Sequence, residues 1–116
     1  NLKAGTVTAL GITPDGTRYV TASSSAISIW DASTRTKITN VSLSGKILSL
    51  AITPDGSKAV TGHATNTIQV VDIATGKSVN TLTGHSDDVN SVIITSDGTK
   101  IVSGGKDSTI KVWNLL

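Results

Sequence analysis

One feature limits this chain more than any other: it repeats itself. Ile12-Thr13-Pro14-Asp15-Gly16 returns as Ile52-Thr53-Pro54-Asp55-Gly56 and again as Ile94-Thr95-Ser96-Asp97-Gly98, at intervals of 40 and 42 residues. A second motif keeps step with the first. Ile27-Ser28-Ile29-Trp30-Asp31 is followed by Ile68-Gln69-Val70-Val71-Asp72 and by Ile110-Lys111-Val112-Trp113-Asn114, at intervals of 41 and 42. A fixed period of this length means one supersecondary unit used several times, each unit too small to bury its own apolar face.

Each unit reads as short strands joined by turns. Val7, Ala9 and Gly11 alternate with Thr8, Leu10 and Ile12. Pro-Asp-Gly then makes a tight turn, with Pro presetting φ and Gly accepting a positive φ. Arg18 to Thr21 gives a second strand, Ala26 to Trp30 a third, and Lys37 to Leu43 a fourth. In unit two, Gly76 marks the hairpin between the third and fourth strands. Composition agrees: all eight acidic residues are Asp, Ser and Thr together number 33, and Thr, Val and Ile are plentiful while Glu, Met, Phe and Cys are missing. That mixture favours strands over helices, and without Cys there is neither a disulfide framework nor a thiolate metal site. Ten basic residues against eight acidic ones leave a net charge of +2, which is not the footprint of a nucleic-acid binder. The longest apolar stretch, Ile47 to Ile52, is interrupted by Ser49 and is far short of a membrane span of about 20 residues. Asn1 to Thr8 has no apolar core of a secretory signal. The chain does not begin with Met, so a processed form or a piece of something longer is expected.

A period of about 41 residues closing on Trp-Asp resembles the WD40 β-propeller repeat. Unit three carries the resemblance best, with Thr83-Gly84-His85, then Ser103-Gly104-Gly105-Lys106-Asp107-Ser108-Thr109-Ile110-Lys111-Val112, then Trp113-Asn114. Unit one has Trp30-Asp31 but only Ala4-Gly5-Thr6 at the Gly-His position; unit two has Val71 for the Trp and Leu43 near the Gly-His position. Both also resemble the related YVTN-type propeller repeats (compare Tyr19-Val20-Thr21-Ala22), found on some microbial cell surfaces. The resemblance implies an all-β fold of propeller blades, four antiparallel strands each, about 2.75 blades in this chain. Residues 1–44 form blade one, with a strand remnant at 1–3; residues 45–84 form blade two; residues 85–116 form blade three without its outer strand.

In that family a Trp, a Ser or Thr, a His and an Asp make one hydrogen-bonded tetrad per blade. The resemblance places it on Trp113, Ser103, His85 and Asp107 in unit three. Unit one keeps a partial set, Thr21 and Trp30, and unit two keeps Thr61, with Thr65 at the Asp position. The donor arithmetic is sound: an indole N–H needs an acceptor when buried, a hydroxyl accepts it and passes a bond to imidazole, and the Asp fixes the tautomer. Blade three is accordingly expected to be the most rigid.

Other chemistry-like residues have plainer readings. Ser103, His85 and Asp107 have the composition of a catalytic triad, but no nucleophile elbow surrounds Ser103 and the Trp accounts for the Ser. His63 reads as a solvated residue of the loop between the second and third strands, with partner contact as the alternative. Gly76-Lys77-Ser78 lacks the leading Gly of a phosphate loop and opens a strand instead of a helix. Asp87-Asp88 is too isolated for a calcium loop and reads as a loop tip. Asn40-Val41-Ser42 is a glycosylation sequon that matters only in a secreted protein.

A propeller ring needs four or more blades, and bare terminal faces and edges need cover. Copies of the chain closing a ring head to tail, two for six blades or three for nine, or the rest of a larger propeller would supply it. The resemblance implies a non-enzymatic protein-interaction scaffold with protein partners and no cofactor, metal, nucleic acid or membrane. Its candidate binding loops present Lys46, Ser86, Asp87 and Asp88 before the first strands. Between the second and third strands they present Ser24, Ser25, His63, Asn66 and Lys106. A structural, self-assembling repeat unit or a fragment, of a designed or cell-surface propeller, without a specific ligand is the alternative. An enzyme is the third class, and no cluster of His and acids points to one site. A cytoplasmic setting is expected, with a cell-surface one as the alternative.

Overall fold

The repeated turns set the strand lengths. In a computed structural model of the chain, Gly16, Gly56 and Gly98 have φ of 73°, 74° and 74°, a conformation that side chains rarely adopt and that closes each turn. Asp15 locks the first one. Its Oδ1 accepts from the Thr17 amide at 3.0 Å, the Thr13 hydroxyl at 2.7 Å and the Thr17 hydroxyl at 2.8 Å. Asp55 with Thr53 and Ser57, and Asp97 with Thr95 and Thr99, repeat the pattern. Such bonds favour the charged form. Led by the Thr17 amide, they lower the Asp15 pKa to about 2; led by the preceding threonine hydroxyl, they do the same to Asp55 and Asp97.

The structure describes residues 9–23, 26–43, 46–64, 66–83, 85 and 87–114. Within them run eleven strands: β1 (Ala9–Ile12), β2 (Arg18–Ser23), β3 (Ala26–Asp31), β4 (Thr36–Ser42), β5 (Ile47–Ile52), β6 (Lys58–His63), β7 (Thr67–Asp72), β8 (Lys77–Thr83), β9 (Val89–Ile94), β10 (Lys100–Gly105) and β11 (Ile110–Asn114). They form three antiparallel sheets in the orders β1-β2-β3-β4, β5-β6-β7-β8 and β9-β10-β11. This is the all-β class and the four-four-three strand order expected from the repeat. The strand remnant expected at residues 1–3 lies outside the described residues, as do residues 7 and 8 of the first expected strand.

The core lies between sheets, not within them. One cluster joins Val20, Ala22, Ile27, Ile29 and Val41 of the first sheet to Ile47, Ala59, Val71 and Ile73 of the second unit. The other joins Val60, Ile68 and Val70 of the second sheet to Val89, Val92 and Ile101 of the third. Period-two alternation does this: Val60 and Ala59 are neighbours in sequence yet belong to different junctions. Close approach is built in at Gly11, where a Cβ would stand 2.7 Å from Ile52 Cδ1.

The same alternation leaves two apolar faces uncovered. Leu10 (67%) and Ile12 (55%) are exposed on the first sheet; Ile93 (62%), Ile110 (77%) and Val112 (63%) are exposed on the third.

Candidate functional site

Strands β10 and β11 build the best-formed polar site. Trp113 sits directly opposite Ile101, and Ser103 opposite Val92, so indole and hydroxyl share the face turned to the second sheet. The Trp113 indole N–H donates to Ser103 Oγ at 2.8 Å. Ser103 Oγ lies 2.7 Å from His85 Nε2. The other ring nitrogen, Nδ1, is 3.1 Å from Asp107 Oδ2. An indole only donates, so the serine accepts it; a carboxylate only accepts, so Nδ1 donates to Asp107 and Nε2 takes the serine proton. The imidazole proton is thus on Nδ1, aimed at Asp107. Asp107 is fixed in turn by the Thr109 amide at 3.1 Å and the Thr109 hydroxyl. The side chains of His85 and Asp107 are 0% and 6% exposed.

The backbone makes room for this network. A Cβ on Gly105 would stand 2.6 Å from His85 Nδ1 and 2.7 Å from Asp107 Oδ1, so position 105 holds a side chain only if His85 gives way. The β10–β11 loop is tied down by the Lys106 amide donating to the Asp88 carbonyl at 2.8 Å. Ser103 is fully buried and its hydroxyl is engaged on both sides, an arrangement for holding strands and not for attacking a substrate.

The first sheet has part of this set: the Trp30 indole N–H donates to Thr21 Oγ1 at 3.0 Å. Trp30 is 5% exposed, and Lys37 Nζ lies 5.4 Å from its ring centroid.

The second sheet corrects the sequence reading. His63 is not a solvated loop residue. It is the last residue of β6, paired opposite Ile47, and fully buried. Its Nε2 lies 2.7 Å from Thr61 Oγ1, so Thr61 does not stand alone in its blade. The physical reason is strand length. The Ala64 amide donates to the Lys46 carbonyl at 2.8 Å, which carries the ladder past Thr61, and alternation then returns residue 63 to the face of Thr61. That shared parity, two residues apart, was the signal available in the sequence.

The loop residues expected to meet partners gather at one end of the sheets. Lys46, Asn66, Asp87 and Lys106 are exposed, and Asp88 is half-buried. The start of β5 pairs with the end of β6, and the start of β9 with the end of β10, so these loops are neighbours. Ser24, Ser25, Thr65 and Ser86 lie outside the described residues. At the opposite end, between the β5–β6 and β9–β10 turns, lies a depression of about 210 Å³ lined by Thr53, Pro54, Asp55, Ser57, Lys58, Asp97 and Gly98. Among the described residues no three His, Cys, Asp or Glu side chains are placed to hold a metal ion. No helix among them is long and apolar enough to cross a membrane.

The family model for the WD domain, G-beta repeat, matches residues 2–31 and 76–114. The unmatched middle, residues 32–75, contains the Val71 and His63 of the second unit. No curated protein sequence matches the chain. Among solved structures, the WD40 repeats of RRP9 superpose with a TM-score of 0.92 at 24% identity, over 98% of this chain and 37% of that one. The structure of U3-55K gives 0.92 at 24%, over 98% and 38%. Hydrazine synthase of Kuenenia stuttgartiensis gives 0.87 at 20%, over 94% and 32%. The chain thus spans little more than a third of the RRP9 and U3-55K chains, and at these identities the likeness is one of fold.

Proposed function

The chain belongs to the WD40-repeat family, and we propose from that premise that it is a non-enzymatic protein-interaction scaffold whose copies join head to tail into a closed propeller. The family is generally non-enzymatic, although one structural neighbour is an enzyme, and the Trp113-Ser103-His85-Asp107 network spends its groups on one another.

The observation that carries the reading is that the two uncovered faces are the two halves of a junction the chain already makes. Ile110 and Val112 stand in register where Ile27 and Ile29 stand in the first sheet: Ile27 lies opposite Ala22 and Ile29 opposite Val20, as Ile110 lies opposite Gly104 and Val112 opposite Val102. Leu10 and Ile12 stand where Leu50 and Ile52 stand, each opposite the equivalent residue of the second strand. Between the first and second sheets those two sets meet in one apolar cluster. A face of the first kind on one copy therefore fits a face of the second kind on another, the heterologous contact a ring requires. Full burial of each such side chain contributes about 1.5–3 kcal/mol. The assembled rim would offer Lys46, Asn66, Asp87, Asp88 and Lys106 to a protein partner. These described loops carry no aromatic anchor of the kind that dominates binding hot spots, which favours, as the second reading, a self-assembling structural unit with no specific ligand.

The absence of Cys makes a clean test. Ile52 approaches Gly11 across the existing junction; the equivalent pair across the new one is Ile12 of one copy and Ile93 of the next, the bulkier Ile93 asking Ile12 for a different rotamer. In the double variant Ile12→Cys, Ile93→Cys, mild oxidation is expected to give covalent oligomers that each single variant does not complete. A double variant that stays one chain after oxidation contradicts the reading.

A further inference from the structure

The second and third sheets use an imidazole in the same way but obtain it from different places. Thr61 and Ser103 hold the same register: each is followed by a glycine lying opposite an isoleucine, Gly62 opposite Ile68 and Gly104 opposite Ile110. Each hydroxyl meets a histidine Nε2 at 2.7 Å. In the third sheet the ring comes from His85, four residues before β9 begins. In the second it comes from His63, at the end of the same strand as the hydroxyl. The strand position equivalent to His63 is Gly105: His63 lies opposite Ile47, and Gly105 opposite Val89, at the start of β5 and β9. The loop position equivalent to His85, four residues before Ile47, is Leu43, which packs against the first core cluster.

We infer that positions 43 and 63 in one blade, and 85 and 105 in the other, are alternative seats for a single imidazole, and that His63 is the positioning residue of the second blade as His85 is of the third. The steric evidence is direct. Where the loop seat holds histidine, the strand seat is glycine, and even a Cβ there would stand 2.6 Å from the ring. Where the strand seat holds histidine, the loop seat holds an apolar residue and the ring is buried all the same. Each arrangement gives the buried hydroxyl one ring nitrogen, and leaving such a group unpaired is what costs stability.

This makes a prediction that ordinary packing does not. In the third blade, His85→Leu removes the ring from Ser103 and Asp107, and Gly105→His drives a second ring into the first. Each single substitution is expected to lower the thermal midpoint by about 4–8 °C or more. The double variant His85→Leu, Gly105→His rebuilds the arrangement of the second blade and is expected to melt above His85→Leu alone, which relief of the clash by itself cannot achieve. A double variant that melts no higher than His85→Leu alone, or that does not fold, overturns the inference, because the strand-seat ring would then not replace the bond that Ser103 loses. A second measurement needs no variant. The chain has two histidines, and with both rings seated, diethyl pyrocarbonate should acylate His63 as slowly as His85 in the folded chain. Acylation of His63 at the rate of a free imidazole would also overturn it.

Discussion

At the scale of single residues, hydroxyls tie the indoles and imidazoles to the strands. Ser103 accepts from Trp113 and donates to His85, while Thr21 serves Trp30 in the first sheet. Ser103→Ala therefore strands two buried partners, an indole N–H and an imidazole nitrogen, each at about 1–3 kcal/mol. Thr21→Ala strands one. Chemical denaturation should show the larger loss for Ser103→Ala; equal losses would mean that the imidazole bond contributes nothing. Residue identity also marks where sequence reading stops. Trp113, Ser103, His85 and Asp107 follow a spacing that a reader of sequences can recognise, and the structure brings them together. His63 follows no such spacing. A histidine just past a predicted strand looks like a loop residue until the ladder is seen to continue, and the burial of one more residue pair is a tertiary fact.

At the scale of elements, the turns were the most legible part. Asp15, Asp55 and Asp97 organise their own hairpins with hydroxyls and amides two residues away, and local bonds of that kind are written in local sequence. Strand ends were less legible, because pairing with a neighbour sets them: β2 runs to Ser23, not Thr21, since Ser23 still pairs with Ala26. The second strand of each sheet, β2, β6 and β10, is paired on both sides, so the three can be compared fairly. The β10 strand alone has the four-membered network on its face, and we expect its amides to exchange hydrogen most slowly of the three. Exchange of β10 ahead of β2 and β6 would show that the network adds no rigidity.

At the scale of the whole molecule, the central claim is that these blades are incomplete alone and are completed by their own kind. The period announced blades, and the alternation announced which side of each blade is apolar. The sequence pointed to bare terminal faces, and the structure shows which side chains form them: Leu10 and Ile12 on one end, and Ile93, Ile110 and Val112 on the other. That depends on how the three sheets stack. A chain with two such faces has large apolar surface to cover, and the matching halves supply the geometry. The most direct test is the mass of the particle under native conditions. Native mass spectrometry should find a closed set of two or three 11.8 kDa chains, six or nine blades in the ring. A stable monomer at micromolar concentration would contradict the account.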